Sequence, residues 1–172
     1  MPLHCENEDM QCPVSNECMT SNVVYEAKIK TKHNTKSYIG MTGRNFIDRY
    51  KEHRGNCKHE HQKGTKLSNY VKRQKLFGEH IKFENIEWKL KTKAVPYKPG
   101  SRFCDVCLSE KTHIALSNPS EILNSRREIV SACPHKRSFK LQTPLNHLTG
   151  CFQKNFFKTN LENFFLQLLS MH

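Results

Sequence analysis

Three consecutive stretches decide the fold: Asn22-Val23-Val24-Tyr25-Glu26-Ala27-Lys28-Ile29, then Ser37-Tyr38-Ile39-Gly40-Met41, then Asn45-Phe46-Ile47-Asp48-Arg49-Tyr50-Lys51-Glu52-His53. The first is rich in β-branched and aromatic residues and reads as a strand. The polar run Thr31-Lys32-His33-Asn34-Thr35-Lys36 turns the chain, and the second stretch returns as the partner strand of a hairpin. Gly40 and Gly43 punctuate its end. The third stretch puts Phe46, Ile47 and Tyr50 on an apolar stripe at helical spacing, with Thr42 or Asn45 as N-cap and Gly55 as the stop. Arg49 and His53 lie four residues apart and share one helix face. Two phenols (Tyr25, Tyr38), a guanidinium and an imidazole beside a short sheet make a place to hold and cut a phosphodiester.

The remaining elements follow in order. A second helix carries Leu67, Tyr70, Val71 and Phe77 on one face, and Gly78 fits its C-terminal stop. Ile86, Trp88 and Leu90 alternate with Glu87, Lys89 and Lys91, the period-two pattern of a half-buried strand. Pro96, Pro99 and Gly100 mark a loop. A third helix bears Val106, Leu108, Glu110 and Ile114, and Asn118-Pro119 breaks it. Ser125-Arg126-Arg127-Glu128 is a capping-box pattern that starts a short fourth helix. Ser138-Phe139-Lys140-Leu141 reads as a last short strand. The expected class is α+β, a small antiparallel sheet of about three strands flanked by helices. Residues 1–22 read as an acidic cysteine-bearing arm, 23–141 as the main domain, and 142–172 as an unassigned tail rich in Phe, Asn and Leu.

Charge narrows the class of partner. The chain has 28 Lys and Arg against 16 Asp and Glu, a formal net charge of +12. Residues 1–22 hold four acids and no Lys or Arg, and the last thirty-five residues hold three bases and one acid. The surplus in residues 23–137 is therefore 14 positive charges. A basic module of that size points to a polyanion, most simply nucleic acid, with a merely soluble basic surface as the alternative. No apolar run is long enough to span a bilayer, so no membrane partner is expected. No apolar signal segment opens the chain, which begins Met1-Pro2-Leu3-His4-Cys5-Glu6. The expectation is an intracellular protein, nuclear or cytoplasmic and not secreted. There, eight cysteines accompanied by ten histidines favour metal over disulfides.

The order Tyr25, Tyr38-Ile39-Gly40, Arg49, His53, Glu110, Asn124 resembles the GIY-YIG nuclease family. Val23-Val24-Tyr25 stands where the family has Gly-Ile-Tyr, retaining the tyrosine, and the second motif is intact. Leu108-Ser109-Glu110-Lys111 followed by Ile114 looks like the family's helix that presents a metal-binding glutamate. Leu123-Asn124 occupies the place of its closing asparagine. A narrower similarity, over about residues 12–141, is to the endonuclease domain of Penelope-like retroelements. It rests on Cys12-Pro13 with Cys18 before Val23, on Phe46 with Arg49, Tyr50 and His53, and on Leu67-Ser68 with Tyr70. Cys104 with Cys107-Leu108, Glu110 and Lys111, and Cys133 with His135, complete it. In those elements the nuclease follows a reverse transcriptase. This chain has no room for one, and the expectation is a detached copy of the domain.

The resemblance implies Glu110 as the protein ligand of a Mg2+ (or Mn2+) ion that keeps most of its waters. Tyr25 is the candidate general base or water-positioning group, and Tyr38 a hydrogen-bond donor to phosphate or water. Arg49 has the fork geometry for non-bridging phosphate oxygens, and His53 positions water or shuttles a proton. Asn124 binds the phosphate or braces the site. Cys104, Cys107, Cys133 and His135 supply three thiolates and an imidazole, the ligand set of a closed structural Zn2+ site, here a zinc-stabilised insertion that would fix the helix bearing Glu110. Cys12, Cys18, Cys57, His59 and His61 are left as an open second site, and Cys5 has no assigned role. The expected function is a metal-dependent DNA endonuclease of retroelement origin that nicks one strand. The competing expectations are a catalytically inactive, zinc-stabilised DNA-binding module and, behind it, a zinc-dependent regulatory domain.

Overall fold

The hairpin carries an apolar stripe on each face, because its side chains alternate sides at period two. A computed structural model describes residues 12–59, 64–98 and 104–133. Strand β1 (Val23–Lys30) pairs antiparallel with β2 (Thr35–Thr42), Tyr25 opposite Gly40 and Ala27 opposite Tyr38. Strand β3 (Glu87–Lys93) pairs antiparallel with the other edge of β1, giving the order β2-β1-β3. Three helices follow or intervene: α1 (Phe46–Lys58), α2 (Lys66–Leu76) and α3 (Asp105–Leu116). The chain is thus α+β with a three-stranded antiparallel sheet. No helix among the described residues is long and apolar enough to cross a membrane.

Val23, Tyr25, Ala27, Ile29 and Tyr38 pack on one face with Phe46 and Tyr50 of α1, Leu67, Tyr70 and Val71 of α2, and Phe83 and Ile86. Val24 and Ile39 face the other way, onto Val106, Cys107 and Ile114 of α3. Tyr25 and Tyr38 therefore share a face, as diagonal neighbours across the pair. Gly40 makes this possible. A Cβ there would lie 2.5 Å from the Tyr25 hydroxyl oxygen and 2.6 Å from its ring carbon Cζ. The ring folds over the glycine and fills the space a side chain would take.

The open edge of β2 is covered by the segment after α3. Ser37 N–H donates to Glu121 O at 2.8 Å, and Leu123 N–H to Ser37 O at 2.7 Å, in a parallel bridge. The ladder then continues through a side chain. Ile39 N–H donates to Asn124 Oδ1 at 2.8 Å, and Asn124 Nδ2 donates to Ile39 O at 2.9 Å. The asparagine amide takes the place of a backbone peptide, which needs one donor and one acceptor at that reach.

Several local expectations change. Helix α1 does not stop at Gly55 but runs on to Lys58. Gly55 costs helix propensity without ending the helix, because the turn around it remains hydrogen-bonded, with His59 N–H reaching Gly55 O at 3.0 Å. Asn45 occupies the N-cap position without a side-chain bond. Thr42 instead accepts the Arg44 amide at 3.1 Å. Phe77 is not on the packed face of α2 but caps its end and is 75% exposed. The capping box at Ser125 and Glu128 is present, but the helix it starts is a single 3-10 turn, Arg126–Glu128. The strand expected at Ser138–Leu141, the tail 142–172 and arm residues 1–11 lie outside the described residues.

The two glycines are expected to respond to alanine with opposite signs. Gly40→Ala forces Tyr25 out of its seat, a loss of about 1–3 kcal/mol of the kind overpacking causes. A Cβ at Gly55 meets nothing within 4 Å, so Gly55→Ala is expected to gain about 0.5–1 kcal/mol from helix propensity. Urea unfolding of the two variants measures both.

Candidate functional site

Helix α1 turns Phe46, Tyr50 and His53 toward the sheet and buries them. Trp88 on β3 closes the far side, its ring within 5.9 Å (centroid to centroid) of Tyr25, Phe46, Tyr50, His53 and Phe83. His53 sits in the middle of this aromatic box, edge-on to both Tyr25 and Tyr38 at 5.8 Å. Burial first, and then the Arg49 charge, push its pKa down to about 3. The ring is neutral at physiological pH.

A chain of hydrogen bonds crosses the box. Arg49 Nε donates to the Tyr25 phenol oxygen at 3.2 Å. The same oxygen lies 2.7 Å from His53 Nε2, and His53 Nδ1 lies 3.4 Å from Thr65 Oγ1. Arg49 can only donate. Every hydrogen finds an acceptor when the phenol donates to Nε2 and His53 carries its own proton on Nδ1, toward Thr65. Burial and then the neighbouring Tyr38 push the Tyr25 pKa up, and Arg49 opposes them without winning. Tyr38 is likewise pushed up, to about 12, by burial against the pull of Arg49. Both phenols are therefore neutral and hold their protons.

Arg49 reaches solvent at one end of this chain, its side chain 26% exposed. Burial works against its charge, but the Tyr25 phenol and Glu52 outweigh burial and leave its pKa raised. Glu52 Oε2 accepts from Arg49 Nη1 at 2.8 Å and also pairs with Arg44. Glu110 comes from α3 on the other side of β2. Its charge is felt by both phenols and, with opposite sign, by Arg49. Burial and then the Glu128 carboxylate push Glu110 up to about 7. Glu128 itself is held low, with Lys66, the Ser125 amide and Asn124 outweighing its burial. Its Oε1 lies 2.5 Å from Lys66 Nζ, and its Oε2 accepts from Asn124 Nδ2 at 3.0 Å.

Tyr25, Tyr38, Arg49 and His53 thus converge, and Glu110 lies within electrostatic reach of them. Asn124 is close by, but its amide is fully occupied by Ile39 and Glu128, which makes it a brace. Three participants escaped the sequence reading. Glu52 sits one turn after Arg49 on the same helix, and an acidic residue at that spacing is a readable signal. Glu128 was visible only as half of a capping box, and Lys66, just before the residues read as the second helix, carried no signal. What joins them to the site is tertiary contact alone.

The cysteines form a second cluster on the α3 side of the sheet. Ligand atoms of Cys104, Cys107 and Cys133 all lie within 4.8 Å of one another, and Cys107 Sγ is 3.3 Å from Cys133 Sγ. Thiolates sharing one tetrahedral zinc stand about 3.8 Å apart, from Zn–S bonds of about 2.3 Å, so the three cysteines are compatible with a structural zinc. Chemistry points the same way. Burial and the two neighbouring cysteines push the Cys107 thiol well up, and a bound dication is what makes adjacent thiolates tolerable. The expected fourth ligand, His135, lies outside the described residues, as do His61 and Cys5. Cys57 is half-buried at the end of α1, its thiol pushed up to about 11 by burial. Cys12 accepts the Asn16 amide at 3.1 Å. No family model matches the chain, and neither does any curated protein or solved structure.

Cys107→Ser is expected to lower the zinc content by about one ion per chain and to lower Tm, since a structural metal contributes folding free energy. Metal analysis alongside a thermal melt checks both. For Glu110 the sign runs with its raised pKa. The ionised form is the disfavoured one, so Glu110 costs stability above about pH 7, and the cost fades as pH falls toward the ordinary carboxyl range. In magnesium-free buffer Glu110→Gln is expected to melt above the wild type at pH 8, with a much smaller gap at pH 5.

Proposed function

We propose that this chain is a metal-dependent DNA endonuclease of the GIY-YIG type, of retroelement origin, which nicks phosphodiester bonds. The observation that carries the reading is the Arg49–Tyr25–His53 hydrogen-bond chain with Glu110 in electrostatic reach of it. A carboxyl with a raised pKa beside a partly exposed arginine and two ordered phenols is a costly arrangement for the fold, and functional sites are where such arrangements collect. The surplus of 14 positive charges in residues 23–137 supports DNA as the partner.

In this reading Arg49 forks two donors onto the non-bridging oxygens of the scissile phosphate. Glu52 and the Tyr25 phenol hold its guanidinium in place. Glu110 would hold a magnesium-type ion, which would supply a water of lowered pKa and positive charge against the reacting phosphate. Tyr25 stays a neutral phenol, so it orients water rather than acting as a free phenolate base. His53 fixes the direction of the Tyr25 hydroxyl by accepting its hydrogen bond, and Asn124 holds β2 beside Tyr38. Zinc on Cys104, Cys107, Cys133 and His135 secures α3, which presents Glu110 one turn after Cys107. The parent element supplies a reverse transcriptase as partner, and the protein works in the nucleus or cytoplasm.

One observation favours a second reading, a catalytically inactive zinc-stabilised DNA-binding module. Tyr25 is 0% exposed, and Val23 and Val24 replace the glycine and isoleucine before it. Variants separate the two. On the nuclease reading Glu110→Ala loses at least a hundredfold in nicking rate, an oxyanion-scale loss, and binds duplex as well as the wild type or slightly better. Arg49→Ala loses nicking comparably and binds several-fold more weakly, having given up a phosphate contact. Equal nicking by Glu110→Ala and wild type would end the one-metal mechanism.

A further inference from the structure

The C-terminal tip of α2 exposes two consecutive large apolar side chains. Leu76 is 86% exposed and Phe77 75% exposed. The other exposed large hydrophobics among the described residues, Met19, Val95, Leu108, Leu116 and Val130, stand singly in the sequence. A lone exposed leucine is ordinary; a leucine–phenylalanine pair at a protruding tip is not.

The tip is rigid. Glu79 N–H donates to Gln74 O at 3.0 Å and Gly78 N–H to Lys75 O at 3.1 Å, with Gly78 at φ +79°. This is the Schellman ending of a helix. The apolar contact that usually accompanies it is missing, since the two positions that would make it are Glu79 and Gln74. Leu76 and Phe77 thus sit on a hydrogen-bonded helix end with most of their apolar surface exposed. Around them Arg73, Lys75, His80 and Lys82 are exposed. Of the acids close in sequence, Glu79 lies 3.9 Å from His33 and Glu84 pairs with Arg54 at 3.5 Å. An apolar tip flanked in sequence by the exposed cations Arg73, Lys75 and Lys82 is complementary to duplex DNA, where the cations meet phosphates and the apolar pair enters between bases.

The opposite end of the same helix abuts the candidate site. Thr65, its N-cap, lies 3.4 Å from His53 Nδ1, and Lys66 lies 2.5 Å from Glu128. Eleven residues of helix span about 16 Å at 1.5 Å per residue. At 3.4 Å per base pair that is about five pairs.

We propose that Leu76 and Phe77 form a wedge that unstacks one base step about five base pairs from the scissile phosphate, so that α2 sets the distance between cleavage and kink. The proposal rests on the nuclease reading for its register, and on the tip alone for its contact with DNA.

The test uses the full zinc-loaded chain with Glu110→Ala, which binds without cutting, and a short duplex carrying 2-aminopurine at one position at a time. The position of the wild-type nick is mapped on the same duplex. Fluorescence is expected to rise at one or two adjacent positions about five pairs from the nick and nowhere else. Adding Leu76→Ala and Phe77→Ala should abolish the rise and weaken binding about tenfold, the scale of a lost base-stacking contact. These side chains are exposed, so the melting curve should not move. A wild type that nicks and binds with no localised rise overturns the wedge and leaves the nuclease reading intact. A double variant that keeps full DNA affinity but loses self-association in sedimentation also overturns it, assigning the tip to a second copy of the chain. A localised rise without nicking by the wild type keeps the wedge and removes the nuclease reading. Absence of duplex binding removes both.

Discussion

The hydrogen-bonded phenol of Tyr25 is the constraint on which the structure turns. Its ring is fully buried, so its hydroxyl needs partners inside the protein. Arg49 and His53 provide them from one face of α1, at 3.2 and 2.7 Å. That requirement fixes the rotation of α1 against the sheet. It also requires Gly40, because only a residue without Cβ leaves room for the ring above β2. The aromatic box of Phe46, Tyr50, Phe83 and Trp88 then excludes water, strengthening those bonds and keeping His53 neutral. One buried phenol thus links the choice of glycine, the pitch of a helix and the protonation of an imidazole.

The sheet divides the labour between its faces. One face holds the polar chain, while the other holds the cysteine cluster and α3. Helix α3 joins them, since Cys107 and Glu110 are one turn apart along it. A metal held by the cysteines would stiffen the helix start, and the Glu110 carboxylate one turn on lies within electrostatic reach of Arg49. The segment 121–124 does a similar job from the far side of β2, with the Asn124 amide standing in for a peptide group.

Most of the fold was legible, and the reasons are local. The hairpin declared itself through alternating β-branched residues and a polar turn, and β3 through Trp88 and Leu90 at period two. The face shared by Arg49 and His53 followed from helix spacing. What failed was where a local signal met a tertiary decision. Gly55 reads as a stop, yet α1 continues to Lys58, because His59 N–H still bonds Gly55 O and Cys57 packs against the core beyond it. Phe77 reads as core by spacing, yet it falls past the last helical turn. At the site, the residue types Tyr25, Tyr38, Arg49, His53 and Glu110 were legible, but Glu128 and Lys66 were not. Their meeting depends on how residues 124–128 and the start of α2 approach the same edge, which no spacing encodes. The buried state of Tyr25 was also invisible; of the two expected roles, general base and water-positioning group, it weighs against the first, because the phenol keeps its proton.

The central claim is that this buried constellation, with Glu110, cuts DNA with the help of a divalent ion. The most direct measurement incubates the purified zinc-loaded protein with supercoiled plasmid, in magnesium and in calcium, and follows the topological forms with time. Conversion to open circles in magnesium, with binding but no conversion in calcium, is the predicted result. Plasmid that binds the protein and remains supercoiled at every magnesium concentration would contradict the account.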